Sequence, residues 1–360
     1  WKWLKQKEHS NESIKQFKSR RYFDLMRNFR RYSWLLTYLF GASPAACASF
    51  IKTENHELLK FFNRETVFSP YSTSLRSADI GYQSGVQSEH VAVSYNGLAQ
   101  YVSSLKAAIQ SNFKGYEKFS KKKSQISSSL LQSEAEFYTT IRAKRKIDNG
   151  ENFVLSLSQN GVEYVELRLL DLNPFTPLGV SEDQISFLDI FLLFCLLIES
   201  PKDDVKRLED NAFNYNAVIF NGRDKGLILR DGAKEITIET WANEILEQLQ
   251  GLANFLDTIE KSKRNRASLQ NMSKLVSNPE LTPSGKMLVE MTEKEVSFLE
   301  FGLRKSEENY RHYLDLDLDK EDLEFFKHVT EESHKKARKL QEDEGQDFKA
   351  FLKNFLDSYQ

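Results

Sequence analysis

Cysteine is scarce in this 360-residue chain, neither sign of charge is in excess, and no long hydrophobic run occurs; each lack closes off a class of protein. The two cysteines, Cys47 and Cys195, lie far apart in apolar surroundings. They make neither a disulfide framework nor a metal spacing, so a reducing cytoplasm is the expected compartment. Lys and Arg total 50 against 52 Asp and Glu, a net charge of −2. That balance gives no global attraction to nucleic acid or to an anionic membrane, and neither is expected as a partner. The longest apolar run, ISFLDIFLLFCLLIES at 185–200, is short for a bilayer span and contains Asp189. The six histidines show no zinc spacing. The chain opens on Trp1, without an initiator Met or an apolar signal core, and reads as a fragment or a processed chain.

What is present suits a soluble globular protein: 40% hydrophobic and 28% charged residues, in a length that fits one large domain or two ordinary ones. Residues 12–40 carry apolar positions at three- and four-residue spacing and predict a helix stopped by Gly41, with Ser43-Pro44 opening a short helix through Phe50. Arg20, Arg21, Arg27, Arg30 and Arg31 on the first helix read as a solvated face. Residues 66–86 read as loop with short strand pieces, 94–110 as a helix capped by Asn96, and 114–129 as loop. A strand ends in SEAEFYTTIRAKRK (133–146), and a turn at 148–152 precedes a second strand, GVEYVELRLLDLNPF (161–175). Ser181 with Gln184 marks the start of a buried helix. Helix end, turn and short strand follow over 214–232, and from about Ile236 the chain is helical and charged. The division predicted is a site-bearing α/β portion, 1–235, and a helical portion of the same domain, 236–360.

Three motif-like stretches fail on inspection. LTPSGKM (281–287) has Glu280 where a P-loop needs Gly, and Met287 where it needs Ser or Thr. DLDLDKEDLEFF (315–326) has Lys320 at the tight turn of a calcium loop and Phe326 in place of its bidentate Glu, so it reads as a helix start. GYQSG (81–85) sets its Ser one place late for a nucleophile elbow.

The strand at 161–175 is different. Alternation puts Tyr164, Glu166, Arg168 and Leu170 on one face and Val165, Leu167 and Leu169 on the core side. Same-face neighbours about 7 Å apart fit a carboxylate on Mg²⁺, a bridging phosphoryl oxygen and an Arg donor. On that reading Glu166 holds a hard cation and Arg168 neutralises charge on a transferring phosphoryl group. They fit equally a same-face Glu–Arg ion pair on a wet sheet, worth roughly 0–1 kcal/mol.

Taken with NFRRYSWLLTYLFGASPAACASF (28–50), PYSTSLRSADIGY (70–82), SEAEFYTTIRAKR (133–145) and NGRDKGLIL (221–229), the block GVEYVELRLLDLNPFTPLGV (161–180) resembles the proteobacterial type of glutamate–cysteine ligase, in order and spacing as well as content. The resemblance is strong from Tyr22 to Leu229 and looser over the helical tail. It implies an α+β, antiparallel-sheet carboxylate–amine ligase fold of the glutamine-synthetase-like type with a large helical C-terminal lobe. The activity implied is ATP-dependent ligation of L-cysteine to the γ-carboxylate of L-glutamate through a γ-glutamyl phosphate, the first step of glutathione biosynthesis, by a cytoplasmic monomer. It further implies Glu166 as one carboxylate on Mg²⁺ (Mn²⁺ also serving), Arg168 on the transferring phosphate, and Arg76, Tyr82 and Tyr138 in the pocket on the cysteine side. Arg142 and Arg145 are basic enough to serve ATP phosphates or to be surface ion-pair partners.

The family pattern is broken at Thr37 and Lys225, each standing where a Pro is usual, and at Thr139-Thr140, which replace an Ala-Pro pair. Altered local stability is the expected consequence, more than lost chemistry. Family members also carry an N-terminal portion with further metal-binding carboxylates, a metal-binding His and part of the substrate pocket. The sequence reads as beginning after it, so the 360 residues alone are expected to be nearly inactive and to expose apolar surface. Two other readings stand: a related carboxylate–amine ligase with another amine acceptor, and a non-catalytic helical protein binding nucleic acid through the Arg20–Arg31 face, which predicts steep salt dependence.

Overall fold

Apolar residues recurring at helical spacing make helices the frame of this protein, and short antiparallel strands hang from it. The computed structural model describes residues 1–51, 59–80, 85–121, 125–147, 151–342 and 347–359. In chain order it contains α1 (Lys2–Lys7), α2 (Ile14–Phe40), β1 (Ala45–Cys47), β2 (Lys60–Asn63), β3 (Thr66–Phe68), α3 (Gly85–His90), α4 (Leu98–Gln110), α5 (Glu117–Lys121), β4 (Ile141–Lys144), α6 (Phe153–Asn160) and β5 (Tyr164–Leu167). Then come α7 (Glu182–Leu197), α8 (Val205–Asn221), β6 (Ile228–Asp231), β7 (Lys234–Thr237), α9 (Ile238–Glu260), α10 (Arg264–Ser277), α11 (Pro283–Glu293), α12 (Phe298–Leu314), α13 (Lys320–Glu342) and α14 (Phe348–Asp357). The sheets are β1-β3-β2, β4-β5 and β6-β7, and every pairing is antiparallel. This is the α+β class that the sequence predicts, with a helical C-terminal lobe.

The central element is α2. Ser13 accepts from the Gln16 N–H while Gln16 reaches back to the Ser13 N–H, a capping box that satisfies two end donors. Its inner face packs on α7, with Phe29 against Phe191 at 5.9 Å and Phe40 against Phe187 at 5.6 Å. On α9, Trp241 closes over Trp34 at 4.9 Å. Burying each such ring stabilises the fold by about 1.5–3 kcal/mol. The main core joins residues from both sides of position 235, since α2, α7, α9 and α10 all contribute. The Ser181 hydroxyl accepts from the Gln184 N–H at the start of α7, as its spacing predicts. Asp319 accepts from the Asp322 N–H at the start of α13, where the calcium-like stretch indeed opens a helix.

Several local expectations are corrected. Residues after Pro44 form β1 and a 3-10 turn, Ala48–Phe50, because extended pairing of Ala45–Cys47 with β3 overrides the local cap signal. Asn96 does not cap α4, whose N-cap is Gly97; its side chain instead clasps the Asp203 backbone, donating at 2.9 Å and accepting at 2.7 Å. Helix α6, absent from the sequence reading, starts where the Asn152 side chain accepts from the Leu155 N–H and ends at Gly161. The strand predicted over 161–175 is regular only from Tyr164 to Leu167.

The arginine face of α2 is paired with acids and only partly solvated. Arg20 pairs with Glu8 and Glu12, Arg21 and Arg27 with Asp24, Arg30 with Asp203, and Arg31 with Asp231. Arg27 is only 3% exposed. These cations hold α2 to its neighbours. Large apolar side chains do stand in solvent elsewhere, among them Phe61, Leu172 and Leu178. No helix among the described residues is long and apolar enough to cross a membrane.

Candidate functional site

The site is built on the β4–β5 ladder. Its register places Arg142 opposite Glu166, Ile141 opposite Leu167 and Lys144 opposite Tyr164, so cross-strand partners share a face. The ladder continues one step past β5, where the Arg168 N–H donates to the Thr140 carbonyl at 2.9 Å. Val165 and Leu167 pack toward the main core, and Leu169 lies within it. Glu166 and Arg168 therefore project on the opposite side, as alternation predicts.

Glu166 does form an ion pair, but with the arginine across the ladder. Arg142 donates through Nε at 3.0 Å and Nη2 at 2.8 Å, both to Oε2 of Glu166. Its Nη1 donates to the carbonyls of Glu134, Ala135 and Phe137. Burial pushes the Glu166 carboxyl up, yet the Arg142 hydrogen bonds and the charges of Arg142, Lys144 and Arg168 outweigh it and hold the group below the usual carboxylate range.

Arg168 is placed differently. Its guanidinium lies 5.4 Å from the centre of the Tyr138 ring, and no carboxylate among the described residues pairs with it. Tyr138, with Phe137, Thr139 and Thr140, forms one wall of a 510 Å³ cavity. Tyr215 on α8 forms another. Burial pushes the Tyr215 hydroxyl up to about 12, against hydrogen bonds with Ser77 and Thr37. Thr37, one of the departures from the family pattern, thus supplies a hydroxyl that a proline could not.

Arg76 lies near Tyr138 and Tyr215, but its charge is committed. Nε donates to Asp171 Oδ1 at 2.5 Å, and Nη2 donates to the carbonyls of Leu169 and Leu170. The second Asp171 oxygen accepts from the Ala42 N–H and the Ser43 hydroxyl at 2.8 and 2.9 Å. This pins the GASP turn after α2 to the chain leaving β5.

The structure thus brings Arg76, Tyr138, Arg142, Glu166 and Arg168 into one neighbourhood. Arg145 stands apart, donating to the Asn160 and Gly161 carbonyls at the end of α6. Tyr82 lies outside the described residues. Sequence reasoning missed Asp171, Tyr215 and Glu134. Asp171 sits in the quoted strand block but off the Tyr164–Arg168 face, so alternation gave no signal for it. Tyr215 and Glu134 carry no spacing signal at all.

No group of three His, Cys, Asp or Glu side chains converges on a cation position among the described residues. Glu166 has one oxygen, Oε1, with no hydrogen bond there, and one carboxylate gripped by an arginine is not a divalent-cation site by itself. What the arrangement offers is an uncommitted cation beside a polarised carboxylate and an aromatic wall, a setting for an anionic, phosphoryl-like group.

The glutamate-cysteine ligase family model matches residues 1–218. A glutamate–cysteine ligase of Alcanivorax borkumensis is 40% identical over 323 residues, covering 87% of this chain and 61% of that protein. One from Pseudomonas aeruginosa is 38% identical over 356 residues, covering 98% of this chain and 67% of its own length. Among solved structures, a glutamate–cysteine ligase of Francisella tularensis in complex with AMP superposes with a TM-score of 0.88 at 26% identity, covering 99% of this chain and 70% of that one. A bifunctional glutathione synthetase from Pasteurella multocida shares the fold at a TM-score of 0.59 and 21% identity, over 84% of this chain and 34% of that one.

Proposed function

This chain belongs to the glutamate–cysteine ligase family, and on that premise we propose that it carries the phosphoryl-transfer face of an enzyme joining L-cysteine to L-glutamate at the expense of ATP. The observation that supports this most directly is Arg168. It shares a strand face with Glu166, and its charge is unclaimed by any carboxylate among the described residues.

In the proposed reaction a γ-carboxylate oxygen of glutamate attacks the terminal phosphorus of ATP and ADP leaves. The amine of cysteine then attacks the acyl carbon of the γ-glutamyl phosphate, loses a proton and expels phosphate. Negative charge gathers on the transferred group in both steps, so positioning and charge neutralisation outweigh covalent help from side chains. Arg168 supplies the neutralising cation, its guanidinium 5.4 Å from the centre of the Tyr138 ring. Arg142 keeps Glu166 ionised. The AMP bound by the Francisella relative supports a nucleotide on this fold. Magnesium or manganese, when bound, would lower the charge of the nucleotide phosphates; Glu166 would lend it Oε1, and no group of three His, Cys, Asp or Glu side chains converges beside it among the described residues.

The chain spans 61 to 67% of the length of two curated relatives. With a single candidate metal carboxylate, the 360 residues alone are proposed to turn over little or not at all. Exposed Leu172 and Leu178, just past the site strand, support packing of further chain there.

The test is ADP release with ATP, Mg²⁺, glutamate and cysteine, from this chain and from a form extended through its natural reading frame. Turnover by the extended form alone, abolished by Glu166→Gln, is the expected result. An extended form that folds and binds Mg·ATP but ignores cysteine would overturn the acceptor assignment.

A further inference from the structure

The last helix reaches the site from the far end of the chain. Phe351, Phe355 and Tyr359 recur every four residues along and just beyond α14, with ring centres 6.1 and 5.2 Å apart. Phe355 packs on the main core, and Tyr359 is part of it at 4% exposure. Polar clamps set the docking on both sides. Gln110 of α4 donates to the Tyr359 carbonyl at 2.8 Å, and Asn152, which caps α6, donates to the Ser358 hydroxyl at 2.8 Å.

The Tyr359 hydroxyl donates to Glu134 Oε2 at 2.6 Å, a short charge-assisted bond across 225 residues of sequence. Glu134 opens the 3-10 turn Glu134–Glu136. Into that turn and the residue after it Arg142 donates three times, at 3.3, 3.0 and 3.4 Å, while its other nitrogens hold Glu166. Tyr138 follows directly, its N–H donating to the Gln87 side chain at 3.0 Å, and its ring carries Arg168. One turn therefore seats both supports of the strand face.

We propose that Tyr359 is a positioning residue: through Glu134 the docked α14 fixes the turn that aims Arg142 and Tyr138, and through them Glu166 and Arg168. The latch is a property of this chain, and only its kinetic consequence rests on the function proposed above.

The first arm of the test is hydrogen exchange on the 360-residue chain. The Glu136 and Phe137 amides bond within the turn, and that of Tyr138 bonds to Gln87. In Tyr359→Phe, which keeps the ring packed, these three exchange roughly tenfold faster while the amides of α14 stay protected. Glu134→Ala removes the same bond from the other side and gives the same pattern; Glu134→Gln keeps an acceptor and stays near wild type. In the second arm, on the extended form that turns over, Tyr359→Phe and Glu134→Ala each lower kcat about tenfold with KM for ATP little changed, and Glu134→Gln, which keeps an acceptor, retains kcat near that of wild type. Wild-type exchange of the turn in both Tyr359→Phe and Glu134→Ala overturns the latch. A loosened turn with unchanged kcat overturns the positioning role. If no form ligates cysteine, the function proposal fails while the exchange arm still decides the latch.

Discussion

Arg142 and Glu166 face each other across the β4–β5 ladder, and both donors of the arginine fall on one oxygen of the carboxylate, at 3.0 and 2.8 Å. The other oxygen takes no hydrogen bond from the described residues, and the group is held below the usual carboxylate range by Arg142 and the nearby cations. Its folded pKa is depressed, so the contribution of the pair to stability is present at neutral pH and is lost as pH falls through the folded value. Arg142 is buried and also serves three carbonyls, whereas Glu166 is partly exposed. Arg142→Ala is therefore expected to destabilise the chain by about 2–4 kcal/mol, and Glu166→Gln by less than about 1 kcal/mol. Urea unfolding of the two variants reads the difference, and equal losses would contradict it.

Arg168 should show the opposite balance. Arg168→Ala removes a cation that no described carboxylate uses, so its melting temperature should stay within a few degrees of wild type. In a form that turns over, ADP release should fall roughly 10²- to 10³-fold, the scale seen when a charge-stabilising donor is lost. A variant that melts early but turns over normally would assign Arg168 to structure instead.

Asp171 is the buried anchor of three groups: the Arg76 guanidinium, the Ala42 N–H and the Ser43 hydroxyl. Asp171→Ala leaves Arg76 without its carboxylate and is expected to cost about 3–5 kcal/mol. Denaturation of this variant beside Arg76→Ala and the double variant should show strong non-additivity. Additive losses would mean the pair is not coupled.

Arg145 separates structural from site arginines. It donates only to the two carbonyls at the end of α6 among the described residues. Arg145→Ala should cost under about 1 kcal/mol and leave ATP kinetics unaltered. A rise in KM for ATP would put it back among the phosphate-binding residues.

At the α9–α10 junction, burial pushes the Asp257 carboxyl up, but Arg266, Asn265 and their backbone N–H groups hold it down at about 2. A depressed carboxylate stabilises above its unfolded pKa, near 3.8, and loses that contribution as pH falls toward about 2. Asp257→Asn should lower stability at pH 6 by about 2 kcal/mol and flatten the loss between about pH 4 and pH 2. Parallel acid-unfolding curves for wild type and variant would refute the assignment.

What the sequence determined by itself is whatever close neighbours along the chain decide. Ser181 and Gln184 start α7, Asp319 starts α13, and alternation sets Glu166 beside Arg168, because backbone geometry places residues two or three apart in fixed relation. The order of the blocks from Tyr22 to Leu229 likewise carried the family. Tertiary structure alone decided which charges meet. Glu166 found Arg142, not Arg168; Arg76 found Asp171, 95 residues on; Glu134 found Tyr359; and Arg30 and Arg31 of α2 found Asp203 and Asp231, more than 170 residues away. An ion pair needs its partner within about 4 Å, and charge–charge energies fall off over that scale, so a side chain's role is set by a neighbour that local sequence does not name.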